Sequence, residues 1–157
     1  LIAAGLVFLF ILIYYKFSGL LAVKPLTLYI IFVLACFVGL EATLTLPGIA
    51  GIALTIGMAI DANIIIYERI KEELANATPI REAVETGFAR AFWTILDANL
   101  TTSVAGLMLL NFGTGPIRGF AVTLLLGVVA TVYTAYFVSK IYFEFYMDKT
   151  RGKKISI

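Results

Sequence analysis

Two aspartates stand inside otherwise apolar runs, in the related strings Ile60-Asp61-Ala62-Asn63 and Leu96-Asp97-Ala98-Asn99. An aspartate near the middle of a membrane helix costs about 2.5 to 3.5 kcal/mol to insert, so its presence there calls for a reason. A carboxyl group withdrawn from water holds its proton more tightly, which lets such a group load and release a proton over the physiological range. Proton handling is therefore the chemistry these positions suggest, with Asn63, Asn99, Thr101 and Thr102 as nearby donors and acceptors. Thr101, four residues after Asp97, shares its helical face, whereas Asn63, two after Asp61, points about 200° away from it. The plainer alternative is that the carboxyls fix helix packing through hydrogen bonds to backbone or hydroxyl groups. It weighs more on Asp97, whose neighbourhood is the more polar.

Other chemistries find little support. Two aspartates on neighbouring spans could activate water, as in an intramembrane aspartyl protease, but neither stands in a Tyr-Asp or Gly-x-Gly-Asp setting. No G-x-x-x-x-G-K-[ST] loop is present for ATP. With no histidine and one cysteine, a zinc site of His and Cys ligands and an intrachain disulfide are both excluded. Cys36, inside an apolar run, reads as a packing residue. Nothing calls for a cofactor or a metal, the net charge of +2 needs no nucleic-acid partner, and the expectation is a proton-driven secondary-transport type of protein rather than an enzyme.

The elements that must position the aspartates follow from composition and breakers. With 61% hydrophobic residues, 14% charged and a mean hydropathy of +1.00, most of the chain has the bilayer as its solvent. The expected fold is all-α: a bundle of five transmembrane helices over residues 1–145, with spans at about 1–15, 26–40, 47–67, 92–111 and 117–139, and a basic cytoplasmic tail at 146–157. Ser18 to Pro25 reads as a connection, Leu46-Pro47-Gly48 as a break and fresh helix start, and Gly113-Thr114-Gly115-Pro116 as a turn. Nine charged residues between Glu68 and Arg90 exclude hydrocarbon for that stretch. Within it Thr78-Pro79 predicts a capped helix start and a short amphipathic cytoplasmic helix over about 79–90, leading into the fourth span. The first residue, Leu1, falls within an apolar run with no basic n-region or cleavage site, the pattern of an excised piece rather than a signal peptide.

With five spans, 11 of the 12 Lys and Arg residues fall on one side and only Arg118 on the other. Positive residues accumulate in cytoplasmic connections, so the C-terminus is expected in the cytoplasm. Asp61 lies seven residues before Glu68 and Asp97 seven after Arg90, which puts each roughly 10 Å below the charged end and at one level in antiparallel helices. Gly48, Gly51, Gly57, Gly119 and Gly127 are expected at helix contacts, where small residues admit close approach or sliding. Tyr14, Tyr15, Tyr67, Trp93, Tyr142 and Tyr146 read as an interfacial aromatic belt, and the charges after Tyr67 as a solvated face.

Longer strings carry a family resemblance. Leu44-Thr45-Leu46-Pro47-Gly48-Ile49-Ala50-Gly51, Gly57-Met58-Ala59-Ile60-Asp61-Ala62-Asn63 and Tyr67-Glu68-Arg69-Ile70-Lys71-Glu72-Glu73 come first. Asp97-Ala98-Asn99-Leu100-Thr101-Thr102 and Phe112-Gly113-Thr114-Gly115-Pro116-Ile117-Arg118-Gly119-Phe120-Ala121-Val122-Thr123-Leu124 follow in order. Together, from Glu41 to about Lys140, these resemble the C-terminal transmembrane region of the SecD family, within the resistance-nodulation-division superfamily. The resemblance implies a bacterial inner-membrane subunit that couples the proton motive force to polypeptide translocation. It implies SecF and the SecYEG channel as partners, YajC as a further candidate, and exported polypeptides met through an exported domain outside this sequence. It also implies a place for Asp61 in the proton pathway, and a less direct one for Asp97. A small-molecule or lipid exporter of the same superfamily is the alternative, but would not be expected to carry the Leu-Pro-Gly-Ile-Ala-Gly and Phe-Gly-Thr-Gly-Pro strings.

Overall fold

The computed structural model describes residues 16–39 and 45–150, with side chains for 23–39 and 45–148. Every element in them is helical: α1 (Lys16–Gly39), α2 (Leu46–Ala75), α3 (Ile80–Phe112), α4 (Pro116–Thr131), a π-helical segment (Val132–Val138) and α5 (Ser139–Thr150). Among the described residues three stretches are long and apolar enough to cross a membrane, Leu46–Ala75, Ile80–Phe112 and Pro116–Asp148, while Val23–Gly39 is a shorter apolar helix. Three such helices therefore stand where five are expected for the whole chain; the first expected span, 1–15, and the tail beyond residue 150 lie outside the described residues.

Helix starts show how local chemistry sets the boundaries. Thr45, with extended backbone, accepts a hydrogen bond from Gly48 N at 3.1 Å and caps α2, with proline in its first turn. The stretch from Ser18 to Pro25, expected as a connection, is instead part of α1, which runs through Pro25. Proline removes one backbone donor, but membrane helices tolerate it because neighbouring groups re-satisfy the freed carbonyl. At the charged end α2 continues to Ala75 and closes on Asn76, whose N–H reaches the carbonyls of Glu72 and Glu73. Ala77 takes a left-handed φ of 59° and Thr78 N bonds back to Glu73 O. Thr78 is thereby spent on finishing α2, so Pro79 and not Thr78 occupies the cap of α3, without a side-chain cap bond. The amphipathic stretch and the following span form one unbroken helix of 33 residues. At the opposite end Arg118 Nε donates to Leu110 O at 3.0 Å, a cation meeting the carbonyls near the end of α3.

α2 is the central helix, packed along α4 on one side and α3 on another. Its upper half contacts α4 through glycines. A Cβ on Gly48 or Gly51 would press on Thr123, one on Gly119 on Thr45, and one on Gly127 on Thr55. In these contacts the threonine hydroxyls bond to their own helices, Thr55 to Gly51 O and Thr123 to Gly119 O, so the side chains fill the glycine notches by shape. Gly57 meets open space and takes no part; Gly87 against Ile70 and Gly106 against Leu125 are close approaches not expected from sequence.

Towards the charged end the packing is aromatic. Ile66, Tyr67, Ile70, Phe88, Ala91 and Phe143 form one buried cluster. The rings of Phe88 and Phe143 are 5.5 Å apart and those of Tyr67 and Phe143 5.7 Å. Tyr67, expected in the interfacial belt, is only 1% exposed and belongs to this core. Trp93 is exposed, and Tyr142 lies under the Lys24 ammonium. Glu73, expected on a solvated face, is nearly buried and meets Arg90 across the α2–α3 hairpin.

Candidate functional site

At the level of the two acidic strings α2 and α3 enclose a cleft of about 180 Å³ between them. Met58, Asp61 and Ile65 on α2 face Ala98, Asn99 and Thr102 on α3. The spacing i, i+3, i+7 keeps the three α2 residues on one stripe. Buried Thr55, Ala59 and Asn63, four apart, form a different stripe turned away from it. This geometry corrects the expectation that Asp61 is buried within the bundle: its carboxyl is exposed at the cleft, on the margin of α2 rather than on its enclosed face.

Of the six residues expected around a proton path, the structure brings three, Asp61, Asn99 and Thr102, to this cleft. Thr102 lines it, its hydroxyl bonded to Ala98 O at 3.1 Å. Asp97 and Thr101 do not line it; both are exposed on the outer face of α3, where Thr101 Oγ1 donates to Asp97 O at 3.2 Å. α3 is the least enclosed of the three long helices, so that outer face meets whatever lies beyond the bundle. Asn63 sits on the far side of α2, 3% exposed, with Nδ2 donating to Ala59 O at 3.0 Å and Oδ1 accepting from Ser139 Oγ at 2.9 Å. The two aspartates therefore do not face one another across a shared space, which is the arrangement a carboxylate pair acting on water would need.

Asn99, expected only as one of the nearby donors and acceptors, has surroundings that spacing alone does not reveal. It is 5% exposed and lines the cleft; its Nδ2 donates to Ile95 O at 2.7 Å, while Oδ1 is buried with no hydrogen-bond partner. An amide oxygen only accepts, so it is complementary to a donor: a water molecule, or a carboxyl carrying its proton, but not a carboxylate. The one sequence signal was the repeated Asp-Ala-Asn string, which sets an asparagine two residues after each aspartate. The two asparagines end up in different surroundings, one facing the cleft and the other facing α5. Among the described residues no group of three His, Cys, Asp or Glu side chains is placed to hold a metal.

Comparison with known proteins agrees with this architecture. Residues 1–149 match the family model described as protein export membrane protein SecD/SecF, C-terminal. The protein translocase subunit SecD of Syntrophobacter fumaroxidans is 56% identical over 149 residues, covering 95% of this chain and 28% of that protein. The corresponding subunit of Acidaminococcus fermentans is 59% identical over 134 residues, 85% of this chain and 32% of the relative. The chain thus spans about a third of the length of the curated relatives it matches. The crystal structure of SecDF, a translocon-associated membrane protein from Thermus thermophilus, superposes with a TM-score of 0.90 at 42% identity, covering 94% of this chain and 21% of that one.

Proposed function

Because this chain belongs to the SecD/SecF family of protein-export membrane proteins, we propose that it is the membrane-embedded part of a SecD-type subunit that uses proton flow to drive polypeptide translocation. Asp61 carries the proton. The observation that supports this reading is the cleft itself, which is lined both by a carboxyl-bearing residue of an apolar helix and by an asparagine whose buried amide oxygen lacks a donor. Asn99 Oδ1 accepts a hydrogen bond from the protonated carboxyl or from a water bridging to it, and loses that partner when the proton leaves. Such a difference between the two protonation states is what a proton must exploit to shift a helix arrangement.

In this reading the chain lies in the bacterial inner membrane with five spans and its C-terminus in the cytoplasm. The lopsided distribution of Lys and Arg supports that orientation. SecF and the SecYEG channel are its partners, with YajC as a further one. Contact with the exported polypeptide belongs to parts of the relatives' length that this chain does not span. The exposed outer face of α3, with Asp97 and Thr101, suits a protein or water-filled surface better than lipid.

The test is export of a reporter protein into inverted membrane vesicles holding the full-length protein and its partners, with Asp61→Asn set against the unaltered protein. The variant is expected to assemble and to keep gradient-independent export while losing the increment that a proton gradient adds. An undiminished response to the gradient would show that Asp61 serves packing and that the proton reading is wrong.

A further inference from the structure

The last long helix carries a buried stripe with an unusual spacing. Thr131, Ala135, Ser139, Phe143 and Met147 are all buried and four residues apart. A step of four overshoots a full α-helical turn by about 40°, so a stripe of this spacing would wind around the helix and leave the core. Between Thr131 and Ser139 the backbone is π-helical, and its wider i→i+5 turns take up that excess. The π segment thus resets the phase of the helix and turns Ser139 towards α2.

There Ser139, fully buried, donates to Asn63 Oδ1 at 2.9 Å. Among the side-chain hydrogen bonds described between helices, this one joins two fully enclosed groups, and it lies two residues from Asp61 along α2. Ser139 also approaches Thr134 O, inside the π segment, at 3.4 Å. The serine therefore has a second acceptor available should Asn63 move. Beyond Ser139 the helix inserts Phe143 and Met147 into the aromatic cluster with Tyr67 and Phe88.

We propose that Ser139 and Asn63 are positioning residues that tie the helix bearing Asp61 to the last span, so that a shift of α2 on protonation is carried into α5, with the π segment yielding between α5 and α4. This inference rests on the proton role of Asp61. π turns inside α-helices recur at functional sites and hold fewer good backbone bonds than the α-helix around them, which makes them the compliant part of a rod. The hydrogen bond supplies the other requirement, a hydroxyl with both acceptors in reach, Asn63 Oδ1 at 2.9 Å and Thr134 O at 3.4 Å, so that its one proton can change partner.

The same vesicle assay separates coupling from packing. Ser139→Ala is expected to assemble, to keep gradient-independent export, and to lose roughly fivefold or more of the gradient-dependent increment. The double variant Asn63→Leu with Ser139→Ala removes both polar groups, so no buried acceptor is left unpaired. It is expected to assemble at least as well as Ser139→Ala and still to lack the increment. A full gradient response in Ser139→Ala, or its recovery in the double variant, would overturn the coupling role, as would failure of both variants to assemble, which would make the pair a packing contact. Asp61→Asn run alongside keeps the two ideas apart: if it loses the increment and Ser139→Ala does not, only the coupling falls, and if it keeps the increment the proton reading falls first.

Discussion

The two ends of the bundle are held by opposite means. Where α2 meets α4, glycine backbones rest against threonine side chains, as at Gly48 and Gly51 against Thr123 and at Gly127 against Thr55. Where α2 and α3 meet the π segment and α5 near the charged hairpin, the contacts are between large rings, Phe88 with Phe143 and Phe92 with Tyr136 at 4.6 Å. The solvent explains the difference. Inside lipid, helices gain nothing by hiding apolar surface, so they associate through close van der Waals contact, which small residues permit. Once the helices reach water, burying an aromatic side chain is itself strongly favourable, and size replaces closeness. Asp61 and Asn63 stand where one regime gives way to the other along α2.

Substitutions that exchange the two kinds of packing would break this contrast or sharpen it. Phe88→Ala, which empties the middle of the aromatic cluster, is expected to lower unfolding stability of the purified protein in detergent by about 3 to 5 kcal/mol. Gly127→Ala forces a methyl group against Thr55 and is expected to cost about 1 to 3 kcal/mol by overpacking. If the order came out reversed, the aromatic end would not be the one driven by water. Thr123→Val keeps the shape that fills the Gly48 and Gly51 notches and removes a hydroxyl bonded only within its own helix. It is expected to change stability by no more than about 0.5 kcal/mol, whereas a loss of 2 kcal/mol or more would show that the hydroxyl itself holds the helices together.

The all-helical class, the start of α2 at Leu46-Pro47-Gly48 and the turn at 113–116 were legible because breakers and apolar runs are local signals. Gly48, Gly51, Gly119 and Gly127 could be picked out as small residues, but Gly57 looks the same in sequence and faces open space, since only the partner helix decides which notch is filled. The helical continuation through Pro25 escaped because proline's breaking effect depends on having water to receive the freed carbonyl. At the site, the aspartates were visible as charges in apolar strings. Their faces were not: Asp61 opens on the cleft, Asp97 looks outwards, and Asn63 and Asn99, though equally placed after each aspartate, serve different neighbours. The Ser139–Asn63 bond spans 76 residues of sequence and depends on a π turn that shifts the phase of the last helix, so no periodic reading of either segment finds it.

α2 and α3 have 30 and 33 residues, lengths of about 45 and 50 Å at 1.5 Å per residue, well beyond a hydrocarbon layer of ~30 Å. Neither breaks along that length, and the Glu73–Arg90 clasp and the Gly87–Ile70 contact bind their charged ends into one arm. The arm joins the charged hairpin to the level of Asp61 without a break in either rod, so the cleft between them sits at the foot of a single clasped unit.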